Sequence, residues 1–239
     1  MLGLGASVAI PAVLSGFENT KSIALDGTGD HVTTYADNND TLIEILSGSP
    51  TAGKGFTISS WINSDFDSSS NYWGVANSDA TGIAVNLANT NIGNILRFMS
   101  VTIKHSSIHN QTLNFATDYY DSGNVKWEHI VLVFEVDDSS SSANAIIKVY
   151  RNGGLEITNS NGAEYQILTQ GAPSGNGTFS LVDTGFIIGG VDQKTGALST
   201  AESKIDEFAI FNTALSASEV SEIYNSGVPN DIASLSPLS

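Results

Sequence analysis

The stretch KIDEFAIFNTALSASEVSEIYNSG, residues 204–227, contains a strand pattern, a short connection and a helix with a well-marked start. Ser216 opens an S-A-S-E pattern with Glu219, a capping box in which each side chain satisfies a free backbone N–H of the other residue. Leu215 and Val220 are placed to form a hydrophobic staple across that start, and the final glycine of the stretch marks the helix end. The sequence therefore predicts a short helix that docks on a sheet directly after its last strand.

Short apolar runs separated by turn residues fill the sequence before this stretch. The chain has 239 residues, of which 41% are hydrophobic and 23 are glycine, and this size is ordinary for a single all-β domain with a buried core. Runs bounded by Gly, Ser, Asn and Asp predict strands. The candidate strands are KSIALDG, HVTTY, FTISSWIN, YWGVAN, GIAVNLA, ILRFMSVTI, HIVLVFEV, AIIKVYRNGGLEIT, TGFIIGG and KIDEFAIF.

Two of these candidates carry more specific information. In KVYRNGGLEI, Asn152 and Gly153 both tolerate the positive φ of a type I′ turn, which predicts a hairpin. In FTISSWIN, bulky side chains occupy both faces, so this strand is expected inside a sheet rather than at its edge. Most aromatic residues of a β-sandwich lie in its core, and we expect Trp61 and Trp127 there.

The charge of the chain excludes several classes of partner. Nine Lys and Arg residues stand against 25 Asp and Glu residues, which gives a formal net charge of −16. Such a surface repels phosphate backbones and anionic lipid heads, so nucleic acid and membranes are poor partners. The absence of cysteine excludes a disulfide scaffold, thiolate catalysis and zinc–cysteine or iron–sulfur centres.

The first residues of the chain differ in composition from the rest. The segment MLGLGASVAIPAVLSGF has no basic residue before Lys21, and its apolar part is short and interrupted by glycine and proline. We therefore expect residues 1–20 to form an arm that contacts the domain or a neighbouring subunit, the alternative being an uncleaved secretory signal. The domain itself is predicted over residues 21–228, and residues 229–239 form a C-terminal tail.

The order of several motifs resembles a known family. ALDGTGDHV, FTISSWIN, KWEHIVLVFEVD, KVYRNGGLE, FIIGG and the quoted C-terminal stretch follow one another as in the laminin G-like jelly roll of the concanavalin A-like lectin/glucanase superfamily. The resemblance covers residues 21 to about 228. It implies an all-β sandwich of two antiparallel sheets packed face to face, with a short C-terminal helix and with the first and last strands close together.

The sequence lacks the catalytic motif of this superfamily's hydrolases. The family's laminarinase-like hydrolases carry E-x-D-x-x-E on one strand, because retaining hydrolysis needs a nucleophile and an acid/base about 5 Å apart. That spacing does not occur in the chain, and the nearest approaches, EVDD at residues 135–138 and IDE at residues 205–207, lack the third carboxylate. We therefore predict a protein that is not an enzyme.

A structural calcium ion is a further implication of the resemblance. Family members often tie the first strand to the last with such an ion, and the matching ligands here are Asp26, the carbonyl of Gly27, and Asp206. Carboxylate and backbone oxygens are the ligands that Ca²⁺ prefers. The alternative is that Asp26 caps the turn that follows it, while Asp206 pairs with Lys204 or with solvent.

Two polar loops contain aromatic residues suited to sugars. Sugar rings stack on exposed aromatic rings and present their hydroxyls to neighbouring polar groups. NSDFDSSSNYWG contains Tyr72 and Trp73, and ATDYYDSGN contains Tyr119 and Tyr120. These four residues are the predicted carbohydrate-binding residues.

The apolar arm leads to a different class of function. The opening MLGLG and the laminin G-like body together resemble virion proteins of marine bacteriophages. This resemblance implies a non-catalytic subunit of a virion or of another extracellular surface assembly, of decoration, fibre or adhesion type, that binds other subunits through its arm as part of an oligomer. The alternatives are a secreted calcium-dependent lectin-like module that binds glycans and, third, a glycoside hydrolase.

Overall fold

The computed structural model describes residues 22–33, 55–64, 70–74, 84–92, 96–104, 110–116, 126–137, 144–156, 166–167, 187–193, 197–200 and 202–228. Most of these residues lie in β-strands, with one α-helix near the end. The elements of the described residues are β1 (Ile23–Asp26), β2 (Val32–Thr33), β3 (Gly55–Ser64), β4 (Ser70–Gly74), β5 (Ala84–Ile92), β6 (Leu96–Lys104), β7 (Asn110–Ala116), β8 (Lys126–Asp137), β9 (Asn144–Arg151), β10 (Gly154–Leu155), β11 (Gln166–Ile167), β12 (Ile187–Ile188), β13 (Gly190–Gln193), β14 (Ala197–Thr200), β15 (Glu202–Phe211) and α1 (Ala217–Tyr224).

The strands form two large antiparallel sheets and one small pair. The seven-stranded sheet has the order β1-β15-β3-β8-β9-β10, with β11 also paired to β9, and the six-stranded sheet has the order β2-β12-β4-β5-β6-β7. The small pair, β13 and β14, lies against β4. Because β1 pairs with β15, the first and last strands of the domain are neighbours, as the family resemblance implied.

The two large sheets meet through the inner face of the seven-stranded sheet. The indole Nε1–H of Trp73 on β4 donates to Ser60 Oγ on β3 at 3.0 Å, and the Trp73 ring meets Phe208 of β15 edge-on at 6.2 Å. The apolar residues on the Ser60 side of β3 and β8 are fully or almost fully buried, and they are Phe56, Ile58, Ile62, Ile130, Leu132 and Phe134. Burying this apolar surface is the main stabilisation of the fold.

The outer face of the same sheet carries the helix. Strand residues alternate between faces, so Val131, Val133 and Tyr150 point away from the six-stranded sheet. They form one buried cluster with three residues that come from α1 and the segment before it, Leu215, Val220 and Ile223. The helix therefore docks on the sheet just after the last strand, as predicted.

Local hydrogen bonds fix the start of α1. Ser216 Oγ accepts from the backbone N–H of Glu219 at 3.3 Å, and the Glu219 carboxylate accepts from the backbone N–H of Ser216 at 2.7 Å, which is the predicted capping box. Thr57 Oγ1 on β3 donates to the carbonyl of Thr213 and accepts from the N–H of Leu215. The connection between β15 and α1 is thus tied to the outer face before the helix begins.

The end of α1 differs from the prediction. The helix ends at Tyr224 rather than at the glycine three residues later, because Asn225 adopts the left-handed conformation, with φ 45° and ψ 42°, and its N–H bonds the carbonyl of Ser221. A 3₁₀ turn at residues 225–227 follows. Asparagine tolerates this conformation through its short polar side chain, so it can serve as the stop in place of glycine.

The β9–β10 hairpin has the predicted turn. Asn152 and Gly153 have φ values of 50° and 77°, as a type I′ turn requires. Asn152 also holds the neighbouring strand, because its N–H donates to the carbonyl of His129 and its side-chain oxygen accepts from the N–H of His129, both at 2.9 Å.

No helix in the described part of the chain is long and apolar enough to cross a membrane.

Candidate functional site

Two of the predicted sugar-binding aromatics are buried. Tyr72 and Trp73 have no exposed surface, because β4 lies between β12 and β5 in the six-stranded sheet and Trp73 points into the core, where Ser60 accepts its indole N–H. A sugar ring has no aromatic face to stack on at either residue. The prediction of exposed rings in NSDFDSSSNYWG is therefore wrong, while Tyr119 and Tyr120 lie outside the described residues.

The prediction for the remaining tryptophans is half right. Trp61 is buried as expected, but 38% of the surface of Trp127 is exposed. In the antiparallel register Trp127 pairs with Asn63, which pairs with Lys204, which in turn pairs with Ala24. Directly paired residues point to the same face of a sheet, so these side chains all lie on the outer face. We call Trp127, Asn63 and Lys204 the Trp127 row.

The neighbouring elements end just before Trp127, which explains its exposure. On one side β9 stops at Arg151, opposite Ile130, and the hairpin turn then lies beside His129. On the outer face α1 stops at Tyr224, whose ring stacks on Trp61 and His129, one row further into the sheet. Neither the hairpin nor the helix therefore extends over Trp127.

The geometry of the Trp127 row suits a small polar ligand with an apolar face. Strands of a sheet lie about 4.8 Å apart, so Lys204 and Trp127 are separated by about 10 Å with Asn63 between them. The indole offers a flat apolar surface, the amide of Asn63 offers donors and an acceptor, and the ammonium of Lys204 offers donors. Asn63 is half-buried and Lys204 is exposed.

Sequence reasoning missed all three residues of the Trp127 row. The expectation that Trp127 lies in the core rests on the general tendency of aromatic residues in a β-sandwich. The charged neighbour Glu128 is itself completely buried, so charge next to Trp127 does not mark a solvent-facing end. The pairing with Asn63 and Lys204 depends on register, which no local pattern specifies.

An aromatic cluster lies next to the Trp127 row, under the end of α1. The centroid of the His129 ring is 5.0 Å from that of Trp61 and 5.9 Å from that of Tyr224, and His129 Nε2 is 2.8 Å from Ser59 Oγ. Burial lowers the pKa of His129 to about 4. The imidazole is therefore neutral over the physiological pH range.

The Ser59–His129 pair has the spacing of a nucleophile and its base but lacks access to a substrate. Both residues are completely buried beneath the outer-face cluster, so no substrate atom can approach Ser59 Oγ. His129 Nδ1 has no hydrogen-bond partner among the described residues, so these residues supply no carboxylate to orient the ring. The pair serves to satisfy a buried hydroxyl and hold the imidazole against its aromatic neighbours.

The two carboxylates predicted to bind calcium are far apart. Asp26 pairs with Glu202, whereas Asp206 lies four residues further along β15, which is about 13 Å. Oxygens that share one calcium ion lie at most about 5 Å apart, because each is 2.3–2.6 Å from the ion. A single ion bound by both Asp26 and Asp206 is therefore incompatible with this register.

Both carboxylates instead bind neighbouring backbone groups. Asp26 accepts from the N–H and hydroxyl of Thr28 at 2.7 and 2.6 Å, and these bonds lower the pKa of Asp26, which caps the turn as the alternative interpretation proposed. Asp206 accepts from the N–H of Glu207 at 2.8 Å, at a bulge where Glu207 has φ 44°. Within the described ranges no three acidic or histidine side chains are grouped to hold a metal ion.

Comparison with known structures identifies the fold. A pentraxin from Limulus polyphemus, described as native, heptameric and SAP-like, is similar over 85% of this chain and 81% of its own, with 14% identity and a TM-score of 0.52. The CBM40 domain of the Ruminococcus gnavus IT-sialidase, solved with α2,3-sialyllactose, is similar over 85% of this chain and 96% of its own, with 14% identity and a TM-score of 0.54.

A larger protein contains the same fold as one of its parts. A mutant of the NanB sialidase from Streptococcus pneumoniae is similar over 84% of this chain but only 27% of its own, with 20% identity and a TM-score of 0.54. At these identities the similarity concerns the fold alone. No curated protein sequence matches the chain.

The family assignment rests on the sequence itself. The profile of a laminin G family, described as concanavalin A-like lectin/glucanases superfamily, matches residues 26–221, most of the predicted domain. The jelly-roll sandwich with its C-terminal helix agrees with that match. The chain is therefore a laminin G-like member of the concanavalin A-like lectin/glucanase superfamily.

Proposed function

We propose that this domain is a non-catalytic carbohydrate-binding module whose ligand stacks on Trp127 and bonds the amide of Asn63. The observation that carries the proposal is the 38% exposure of Trp127 on the outer face, in register with two polar side chains. Exposed indole beside amide and ammonium groups matches the two surfaces of a sugar ring, its apolar face and its hydroxyl edge. The Trp127 row replaces the buried Tyr72 and Trp73 as the proposed site.

The related structures support a binding role without locating the site. The sialidase CBM40 domain, a carbohydrate-binding module by name, has the same fold and was solved with a bound glycan. At 14% identity that similarity carries no residue across, so Trp127 is proposed on its own exposure and register.

The distribution of carboxylates favours binding over hydrolysis. Glycoside hydrolysis generally needs two carboxyl groups on either side of the scissile bond, about 5–10 Å apart. The E-x-D-x-x-E arrangement is absent from the sequence. The carboxylates beside Lys204, from Asp26, Glu202 and Asp206, lie together at one end of the row, about 10 Å or more from Trp127, and not on either side of a ring stacked there. The only base paired with a buried nucleophile in the described residues, His129 with Ser59, is closed to substrate. A ligand held at the row would therefore be bound and released unchanged.

The test is binding to an array of neutral and sialylated oligosaccharides, followed by calorimetry on the strongest ligand. We expect Trp127→Ala to weaken binding at least tenfold, Trp127→Phe to retain part of it, and Asn63→Ala to give an intermediate loss. Val32→Ala is the matched control, because Val32 is similarly exposed, at 41%, but lies on the edge of the other sheet. An array without any bound glycan, or a Trp127→Ala variant with unchanged affinity, would contradict the proposal.

A second candidate is the assembly role predicted from residues 1–20, on a virion or another extracellular surface. The observation that favours it is apolar exposure on two neighbouring edges: Ile23 on β1 and Val32 on β2 are each 41% exposed, and these strands are the edges of the two sheets. Exposed edge strands pair readily with other chains. Residues 1–20 themselves lie outside the described residues.

Light scattering distinguishes the assembly role from a free module. If the arm joins subunits, the full chain is a multimer and a variant lacking residues 1–17 is a monomer. A monomer in both cases removes the assembly candidate and leaves the glycan proposal unaffected.

A further inference from the structure

We propose that the glycan bound at the Trp127 row is uncharged, and this inference rests on the proposed function. The chemistry of the row alone would admit either kind of sugar, since Lys204 can bond a hydroxyl or attract a carboxylate. The carboxylates around Lys204 decide between an uncharged and an acidic sugar.

Three carboxylates surround Lys204 on the outer face. Glu202 and Asp206 stand two residues before and after it on β15, and residues two apart on a strand share a face at about 6.6 Å. Asp26 on β1 pairs directly with Glu202 and so points to the same side. The end of the row next to Lys204 therefore holds three formal negative charges and one positive charge.

These carboxylates are placed to act on a ligand. Asp26 and Glu202 are exposed and Asp206 is half-buried, so their fields reach the solvent above the sheet. The hydrogen bonds from Thr28 stabilise the ionised form of Asp26. The Debye length at physiological salt is about 8 Å, which is comparable with the spacing of these groups, so a carboxylate on the ligand would meet net repulsion there.

The charge of the whole chain acts in the same direction. Two cations of the described strands are already paired with carboxylates, Lys148 with Glu135 and Arg151 with Glu156, at 2.8 Å in each case. Because the protein has a formal net charge of −16, an anionic ligand also approaches against the field of the protein. A neutral sugar meets neither obstacle and keeps the stacking on Trp127.

The proposed preference for uncharged sugars differs from the ligand seen with a protein of the same fold. The CBM40 domain of the Ruminococcus gnavus sialidase was solved with a sialylated trisaccharide, which carries a carboxylate. The shared fold thus does not prescribe the charge of the ligand. Here the side chains of β1 and β15 select against that class of sugar.

The experiment is an array that carries neutral oligosaccharides beside their sialylated, sulfated or uronic acid counterparts, with lactose and 3′-sialyllactose as one pair. We expect the neutral member of each bound pair to be favoured at least about fivefold at 20 mM NaCl. The preference should shrink at 500 mM NaCl, because salt screens exposed charges. Tighter binding of the acidic members would overturn this inference and leave the proposed function standing. No binding of either class would overturn both.

Charge variants test the cause of the preference. Glu202→Gln combined with Asp206→Asn should bring the ratio of neutral to acidic affinity toward one while leaving the affinity for the neutral sugar within about twofold. Glu135→Gln is the matched control, because Glu135 lies on the same strand and face as Trp127 but eight residues away, about 26 Å. An unchanged ratio in the double variant, or an equal change in the control, would refute the role of the carboxylates.

Discussion

Trp73 and Trp127 occupy opposite environments in this molecule, and their sequence contexts suggest the reverse. Trp73 follows a run of serine and asparagine and looks like a loop residue, yet it is completely buried between the two sheets. Trp127 opens a strand with the apolar centre HIVLVF and looks like a core residue, yet it is 38% exposed. Local polarity predicted both environments wrongly.

The difference between the two sites lies in what covers each face. Trp73 points from β4 toward β3 of the opposite sheet, and its indole N–H finds Ser60 there. Trp127 points away from that interface, and the hairpin and α1 stop one row before it. Long-range contacts that no short window contains therefore decide which tryptophan is available to a ligand.

The largest expected effect is a loss of stability when Trp73 is replaced. Trp73→Ala removes a fully buried indole and leaves Ser60 without its donor, so we expect a loss of about 3–5 kcal/mol in the free energy of unfolding. Trp127→Ala should cost at most about 1 kcal/mol, because it removes a side chain at the surface. Urea unfolding of both variants measures the difference. Similar losses at the two positions would mean that the burial of one of them is wrong.

Acid should loosen the cluster next to Trp127. The pKa of His129 is about 4 in the folded state and 6.5 when unperturbed, so the unfolded chain binds the proton first as the pH falls. The contribution of the neutral imidazole is complete above pH 6.5 and declines progressively between pH 6.5 and 4, by about 3 kcal/mol in total. Urea unfolding of wild type and His129→Gln across this range isolates that slope. The same slope in both proteins would assign it to other groups.

Substitutions at the adjacent glycines Gly153 and Gly154 should have smaller effects on stability and test the packing of the turn on Tyr224. A Cβ on Gly153 would lie 2.7 Å from Tyr224 Cδ1 at a φ of 77°, so we expect Gly153→Ala to destabilise the protein by about 1–3 kcal/mol. A Cβ on Gly154 would meet its nearest atom at 3.6 Å, an ordinary contact, so Gly154→Ala should change stability by less than about 1 kcal/mol. Thermal unfolding of the two variants provides the comparison, and equal effects would refute the close packing of the turn on Tyr224.

The sequence predicted best those features that depend on neighbouring residues. The capping box needs only Ser216 and Glu219, and the hairpin turn needs only Asn152 and Gly153, so both could be predicted from short patterns. β7 was not predicted because NQTLNFA alternates weakly and contains few β-branched residues, and β13 and β14 are short and largely polar.

Short sequence patterns could not predict the candidate site. The Trp127 row draws on β3, β8 and β15, which are far apart in sequence and come together only through the sheet order. The separation of Asp26 from Asp206 has the same origin, because the residue opposite Asp26 is Glu202 and not Asp206. Residue types indicated what kinds of ligand to consider, but the register determined which residues can act together.

The pairing of β1 with β15 also governs how the domain can be attached to something else. Residue 22 enters the sheet beside the β15 residues next to Lys204, and residue 228 leaves from the turn after Tyr224, so both attachment points lie on the Trp127 side of the sandwich. β1 and β8 lie three strand spacings apart, a distance of about 15 Å. Immobilising the protein on a sensor through a tag close to either of these residues would crowd Trp127 against the solid support. A long flexible spacer, or coupling at Lys148, about 20 Å along the sheet from Trp127, would keep that indole facing the solution.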